Sequence, residues 1–319
     1  MKIVVTGGCG FIGSNFIRYM MRTYPDISII NLDKLTYAGN PENLKGIDTL
    51  KNYTFVKGDI CDEAIVGQTL RGADAVVNFA AETHVDRSID DASAFVKTNI
   101  YGTYVILEAV RKNAIPRMVQ ISTDEVYGSI PTGQSVEGDP LEPNSPYAAS
   151  KTSADLLCRS YFVTYKTPVV VTRSSNNYGP YQFPEKVIPL FVTNAMEDKR
   201  LPVYADGKNV RDWLFVEDNC RGIDTVLRKG NPGECYNIGG GVELTNIELT
   251  RAILRLTGKT EALIQYVQDR PGHDKRYALN CEKLKKFGWK TECDFEESLK
   301  KTVAWYRENT PWWKRLKKT

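Results

Sequence analysis

A glycine at every third position from Gly7 to Gly13 limits this chain more than any other feature. Lys2 to Thr6 is a short apolar, β-branched run that leads into Gly7-Gly8-Cys9-Gly10-Phe11-Ile12-Gly13, and a helix-length segment follows to about Arg22. Glycines so spaced let a strand turn sharply into a helix and let the backbone approach a ligand closely. The helix start then offers unpaired N–H groups and the positive end of its dipole, a suitable seat for a pyrophosphate. Glycine spacing alone is weak evidence. The second apolar run, Ile27 to Leu32, strengthens it by ending in Asp33, twenty positions after Gly13, where an acid can accept hydrogen bonds from ribose hydroxyls. A carboxylate there repels a 2′-phosphate, so the expected dinucleotide is NAD rather than NADP. Lys34 beside it reads as an exposed side chain.

Strand-like and helix-like segments continue to alternate. Tyr53 to Lys57 ends at Gly58-Asp59-Ile60, and Ala75 to Phe79 ends at Ala80-Ala81-Glu82-Thr83-His84. A helical run over 93–112 follows, with Phe95, Ile100, Tyr104, Leu107 and Val110 as a core-facing stripe. This order implies right-handed βαβ crossovers, and the expected fold class is α/β, a Rossmann-type doubly wound parallel sheet. From about Ser174 short strands and amphipathic helices alternate with Asn-, Gly- and Pro-rich loops. The chain is therefore divided into an NAD-binding domain with the catalytic residues at 1–174 and a smaller α/β substrate-binding lobe at 175–319, with crossings between them expected. Helices are expected over 184–198, 217–228 and 295–308, and strands over 201–204 and 235–238. The segment Pro311 to Lys318 is expected to dock its Trp312-Trp313 pair on the body of the protein.

Composition excludes several classes. With 42 Lys and Arg against 39 Asp and Glu, the net charge is too small to mark a nucleic-acid binder. No apolar stretch is long enough to span a membrane and no charged-then-apolar leader precedes the first strand, so a cytoplasmic protein is expected. The seven cysteines are odd in number and scattered, which reads as reduced thiols. With only two histidines, His84 and His273, no metal site is expected.

Two further segments carry reactive groups. Arg117 to Ile121 delivers Ser122-Thr123-Asp124-Glu125-Val126-Tyr127-Gly128 from the end of a buried strand, where ligands of such sheets bind. Adjacent carboxylates could simply cap a turn; in unequal surroundings they can also divide into an acid and a base. Tyr147 and Lys151 stand four apart in Tyr147-Ala148-Ala149-Ser150-Lys151, so on a helix both face one side. A nearby ammonium favours a phenolate, the form needed to deprotonate a sugar hydroxyl.

These motifs resemble the extended short-chain dehydrogenase/reductases and, within them, the dTDP-glucose 4,6-dehydratases. The resemblance also runs through Leu32 to Asn40, Ala80 to Ser88, Ser175 to Gln182, Asn209 to Trp213 and Asp269 to Asp274. It departs at Cys9, where the family often has alanine. The resemblance implies that Tyr147, aided by Lys151 and Thr123, deprotonates the hydroxyl on the sugar's fourth carbon. It further implies that Glu125 removes the proton on the fifth carbon while Asp124 protonates the departing hydroxyl of the sixth. The cofactor positions carried over are Gly7, Gly10, Phe11, Ile12, Gly13, Asp33, Lys34, Leu35, Thr36, Asp59, Ile60, Ala80, Ala81, Thr83, Thr98, Ser122, Tyr147, Lys151 and Asn177. For the substrate they are Thr83, Thr123, Asp124, Glu125, Asn176, Lys186, Val187, Pro202, Val203, Tyr204, Arg211, Asn246, Arg270 and His273. Arg211 and the Arg270 to His273 turn are the donors expected for a nucleoside diphosphate; a salt bridge is the alternative for Arg211. His84 is given no catalytic role. The resemblance also implies deoxysugar biosynthesis, rhamnose included, and a homodimer packed through 93–112 and 147–165. A UDP-glucose 4,6-dehydratase, a nucleotide-sugar 4-epimerase and a regulatory NAD sensor remain alternatives, and the carboxylate pair is what an epimerase does not need.

Overall fold

In the computed structural model, which describes residues 1–317, twelve strands follow one another along the chain. They are β1 (Lys2–Thr6), β2 (Ser28–Asp33), β3 (Tyr53–Lys57), β4 (Ala75–Asn78), β5 (Met118–Thr123), β6 (Val169–Ser174), β7 (Asn176–Tyr178), β8 (Leu201–Tyr204), β9 (Val210–Phe215), β10 (Cys235–Ile238), β11 (Glu243–Thr245) and β12 (Ile264–Val267). Seven form one sheet in the order β10-β6-β5-β4-β1-β2-β3, and every pairing within it is parallel. The continuous burial of β4, β5 and β6 follows from helices covering both faces, which leaves these strands no polar side. The order reverses between β1 and β4, and that switch point opens a crevice at the carboxyl ends of the strands.

On one face Phe16, Ile17 and Met20 pack with Val216, Ile223 and Val226; on the other Leu107, Val110, Cys158 and Tyr161 pack against Val4, Val76 and Met118. The helix Val216–Lys229 and strand β10 return to the large sheet after the chain has left it at Ser174. The remaining strands form two small sheets, β11-β9-β7 and β12-β8, over a separate core that includes Phe191, Trp213, Leu249 and Tyr306.

Two departures from the expected elements matter for the site. The 93–112 run is helical throughout, but Val96–Gly102 is a wider π-helical stretch between Ser93–Phe95 and Thr103–Lys112. A π turn inserts extra residues into the helical register, which turns Tyr104 outward to 38 % exposure while Phe95, Leu107 and Val110 stay buried. The helix expected from Pro184 begins at Val187, leaving Glu185 and Lys186 in the turn that faces the crevice. At the carboxyl end Trp312 Nε1 donates to Asn43 Oδ1 at 3.0 Å and Trp313 Nε1 to the Tyr306 carbonyl at 2.7 Å, so the pair docks on the body as expected. Lys318 lies outside the described residues.

Candidate active site

The crevice is a cavity of about 320 Å³ whose wall runs from the glycine turn to the carboxylate pair. At one end β1 hands the chain to the helix Phe11–Thr23, whose N-cap is Gly10 and which has neither a side-chain cap nor an acid in its first turn. Those N–H groups are left for a ligand. Gly7 sits at φ +68°, and a Cβ on Gly13 would stand 2.4 Å from the Gly7 carbonyl oxygen, so the turn closes only around glycine. Asp33 at the end of β2 accepts from the Cys9 N–H and the Leu35 N–H, both at 2.8 Å. Its carboxyl sits above the ordinary value because it is buried, with those two N–H groups pulling it back. The residues present thus fit a dinucleotide: an uncapped helix start, a turn that only glycine can make, and an acid fixed across from them.

At the other end Thr123 closes β5 and its hydroxyl accepts from the Glu125 N–H at 3.3 Å, starting the short 3-10 turn Asp124–Tyr127. Asp124 is buried and Glu125 half-buried. Desolvation, then the charges of Glu125 and Asp212, push the Asp124 carboxyl well above the usual range, opposed by Arg211. Desolvation also raises Glu125, but Arg270, Arg211 and Lys186 pull it down. The neighbours therefore sit in unequal fields. Among the described residues Asp124 Oδ2 has no hydrogen-bond partner, and neither do Asn176 Oδ1, Asn177 Oδ1 and Glu185 Oε1, all of them in residues lining the cavity. Buried acceptors left open in this way are prepared for a ligand.

Tyr147 and Lys151 come from the helix Pro146–Tyr165, entered through the Ser145 cap. The charge of Lys151 does not outweigh what else surrounds the Tyr147 phenol. Lys151 Nζ donates to the Ile121 carbonyl at 2.6 Å, and burial followed by the Glu125 and Asp124 charges holds the phenol above its usual range, against a hydrogen bond with Thr123.

The cavity brings together Gly7, Gly10, Phe11, Ile12, Gly13, Asp33, Lys34, Thr36, Asp59, Ile60, Ala80, Ala81, Thr83, Thr98, Ser122, Thr123, Asp124, Glu125, Tyr147, Lys151, Asn176, Asn177 and Lys186. Lys34 is 56 % exposed and pairs with Asp59 at 2.7 Å. The other expected positions do not line this cavity. Leu35 packs on the core at φ +57°, and Val187 and Val203 turn their side chains into the core of the smaller lobe, leaving only their backbone for a ligand. Asn246 opens the helix after the Thr245 cap, and Pro202 and Tyr204 lie on β8.

Arg211 and Arg270 form a cationic flank, and burial together with their two charges holds the His273 imidazole beside them below its ordinary value, against Asp269. Arg211 is buried, donates to the Val210 and Asp274 carbonyls at 2.7 and 2.9 Å, and lies over the Tyr277 ring, so it is held by carbonyls and a ring face rather than by a carboxylate. Arg270 reaches Asp86 at 3.3 Å, Tyr204 donates to the same carboxylate at 3.2 Å, and His273 pairs with Asp269 at 2.5 Å. His84 accepts from the Arg87 N–H.

Sequence reasoning missed Asn99 and Glu185. Asn99 in the π stretch donates to Ser150 Oγ at 2.8 Å and to the Glu82 carbonyl at 3.0 Å, tying the β4 loop to the Tyr147 helix. Glu185 accepts from Arg87 at 2.9 Å. Two adjacent carboxylates thus stand beside a dinucleotide-shaped crevice, and the GDP-mannose 4,6 dehydratase family model matches residues 4–302. The chain belongs to this family.

Among the family's relatives, a dTDP-glucose 4,6-dehydratase of Streptomyces niveus is 53 % identical over 99 % of this chain and 96 % of its own. The solved structure of DesIV, a dTDP-glucose 4,6-dehydratase from Streptomyces venezuelae with NAD and TYD bound, matches with TM-score 0.98 and 51 % identity, covering 99 % of this chain and 100 % of that one. A Thermus thermophilus UDP-glucose 4-epimerase in complex with NAD matches with TM-score 0.90 and 30 % identity over 97 % and 100 % of the two chains. Likeness to both places the weight of any distinction within the family on side chains. Among the described residues no helix is long and apolar enough to cross a membrane.

Proposed function

We propose that this protein is a dTDP-glucose 4,6-dehydratase, an NAD-dependent hydro-lyase that converts dTDP-glucose to dTDP-4-keto-6-deoxyglucose and water. The observation that carries this reading is the pair Asp124 and Glu125, adjacent, desolvated and set in unequal fields in the same cavity as Tyr147 and the glycine turn. NAD⁺, when bound, supplies the acceptor for the hydride lost at the fourth carbon and the donor that returns it at the sixth, leaving no net redox change.

The chain's own groups handle protons and position. Gly7, Gly10 and Gly13 leave backbone N–H groups for the pyrophosphate, and Asp33 accepts from ribose hydroxyls. Tyr147 Oη takes the proton of the sugar's fourth hydroxyl, with Thr123 Oγ1 in contact and Lys151 supplying positive charge from the same helix. The ketone so formed acidifies the proton at the fifth carbon, and Glu125, kept ionisable by Arg270, Arg211 and Lys186, removes it. Asp124, whose carboxyl burial and the Glu125 and Asp212 charges push well above the usual range, delivers its proton from the open carboxyl face to the hydroxyl leaving the sixth carbon as water. Arg211 and Arg270 form the cationic flank for the diphosphate, with His273 as a further polar contact.

The test is to incubate the purified protein separately with dTDP-glucose and UDP-glucose and follow loss of water by mass. Glu125→Gln is expected to slow water loss by at least about a hundredfold, the usual worth of a positioned base, while the absorbance of reduced cofactor accumulates. Undiminished dehydration by that variant would sink the assignment, and faster turnover of UDP-glucose would reassign the nucleotide. The seven free thiols support a reducing compartment such as the cytoplasm. The exposed apolar side chains on the helices of 93–112 and 146–165 support a homodimer.

A further inference from the structure

We propose that Asp155, with Arg173 and Tyr127, is a buried brace that fixes the acid-base turn against the Tyr147 helix and supplies the negative charge facing Lys151, which makes Asp155 a positioning residue for the reaction. The inference rests on the roles of Tyr147 and Lys151 proposed above.

Tyr147, Lys151 and Asp155 recur every four residues along the helix Pro146–Tyr165, so they occupy one stripe, and all three are buried. A carboxylate buried in an apolar interior is costly unless it is paired and useful only where its charge is needed. Asp155 Oδ2 accepts from Arg173 Nε at 2.9 Å. Arg173 lies on β6 directly opposite Ser122 of β5, one position before Thr123. Its Nη1 donates to the Tyr127 hydroxyl at 2.8 Å, and the guanidinium lies 4.8 Å from the centre of the Tyr127 ring. Tyr127 is the last residue of the turn that carries Asp124 and Glu125, and its hydroxyl donates to Asn237 Oδ1 at 2.8 Å on β10. One chain of contacts thus joins the helix with Tyr147 and Lys151, the strand behind the site and the turn with both carboxylates.

The charge matters as well as the geometry. Lys151 Nζ donates to the Ile121 carbonyl, which satisfies one of an ammonium's three donors. Burial drags the ammonium down to about 8, and Asp155 leads the groups that hold it up, with Cys158 next. From β6 the group that faces this pair is Arg173, and from β10 it is Cys235. From the 3-10 turn come Tyr127, Asp124 and Glu125, and from the loop that follows it Glu137, whose carbonyl accepts from Arg173 Nη1 at 3.4 Å. Burial raises the Asp155 carboxyl above its ordinary value, and Arg173, Ser122 and Lys151 pull it back toward the anion that faces Lys151 along the shared stripe.

The sign follows. Without the Asp155 charge Lys151 loses its proton at lower pH, and so does Tyr147, whose phenol Asp155 also holds up. Both limbs of the kcat profile move to lower pH. Asp155→Asn, close in shape and able to keep an acceptor toward Arg173, is expected to lower kcat about tenfold at pH 8 and to move the alkaline limb down by about one pH unit. KM for dTDP-glucose and the affinity for dTDP by calorimetry should stay within about twofold, because the brace touches neither. Tyr127→Phe removes the hydroxyl link and keeps the charge, so kcat should fall about threefold with the limb unmoved. An Asp155→Asn profile superimposable on wild type overturns the charge role. A uniform loss across pH in which bound NAD and the unfolding midpoint fall in step would show a merely structural residue and overturn the proposal. If Asp155→Asn does not fold, a Tyr127→Phe enzyme with wild-type kcat overturns the brace. Wild-type protein that forms no product from dTDP-glucose in the same assay refutes the functional reading instead, so the two failures are separable.

Discussion

Asp124 states the site's logic in one side chain. Its carboxyl binds a proton more tightly in the folded chain than in the unfolded one, because desolvation and the charges of Glu125 and Asp212 all disfavour the anion. Stability from such a group is fully present below the ordinary aspartate value of 3.8 and is lost as pH rises through the folded value. Asp124→Asn removes that loss. The variant should therefore gain stability over wild type as pH rises above about 4, at no more than about 1.4 kcal/mol per pH unit, the slope for one proton. Denaturant unfolding at a series of pH values reads this directly, and a difference independent of pH would contradict it. The same variant should lose dehydration, since an amide cannot deliver the proton. That Asp124 and Glu125 sit together at a strand end was legible from Ser122 to Gly128 alone, because adjacency is a property of sequence. The field that separates them was not, because Arg211, Arg270 and Asp212 arrive from distant segments.

At the scale of the element, local chemistry decides what a sequence reveals. The glycine turn could be read because three residues and one strand end determine it. A single substitution tests it. Alanine at position 13 favours the helix by about 1 kcal/mol over glycine, yet its Cβ would meet the Gly7 carbonyl at 2.4 Å, a contact with backbone that no rotamer relieves. The collision should win: Gly13→Ala is expected to lose at least about tenfold in NAD affinity, measured by titration, while circular dichroism remains that of a folded protein. Unchanged NAD affinity would mean that the turn does not hold the pyrophosphate. The π stretch Val96–Gly102, by contrast, could not be read, because a helical stripe in sequence assumes an even period. That wider turn places Thr98 on the cavity wall and Asn99 between Glu82 and Ser150, and it turns Tyr104 out of the core.

For the whole molecule, a fold shared by dehydratases and epimerases leaves reaction type to side chains, but the surface still carries information of its own. Of the twelve large hydrophobic side chains exposed among the described residues, seven lie on the helices of 85–112 and 146–165: Ile89, Val96, Tyr101, Tyr104, Leu156, Val163 and Tyr165. These helices pack side by side on one face of the sheet. Such a concentration suits an isologous interface, in which each residue is buried twice. Fully burying one exposed leucine is worth about 1.5–3 kcal/mol, so covering Leu156, 53 % exposed in the single chain, would contribute up to about 1.5–3 kcal/mol across a symmetric pair. Leu156→Asp removes that and places a charge in an apolar contact from each side. Association should weaken by at least about a hundredfold at 1.4 kcal/mol per decade. Light scattering at micromolar concentration should show wild type at twice the chain mass and the variant at the single mass. A wild type of single-chain mass would refute the dimer. A variant still at twice that mass would place the interface on another face. The helix that bears Leu156 also carries Tyr147 and Lys151, so losing the partner should loosen the site as well, lowering kcat of the monomer without touching a single reacting group.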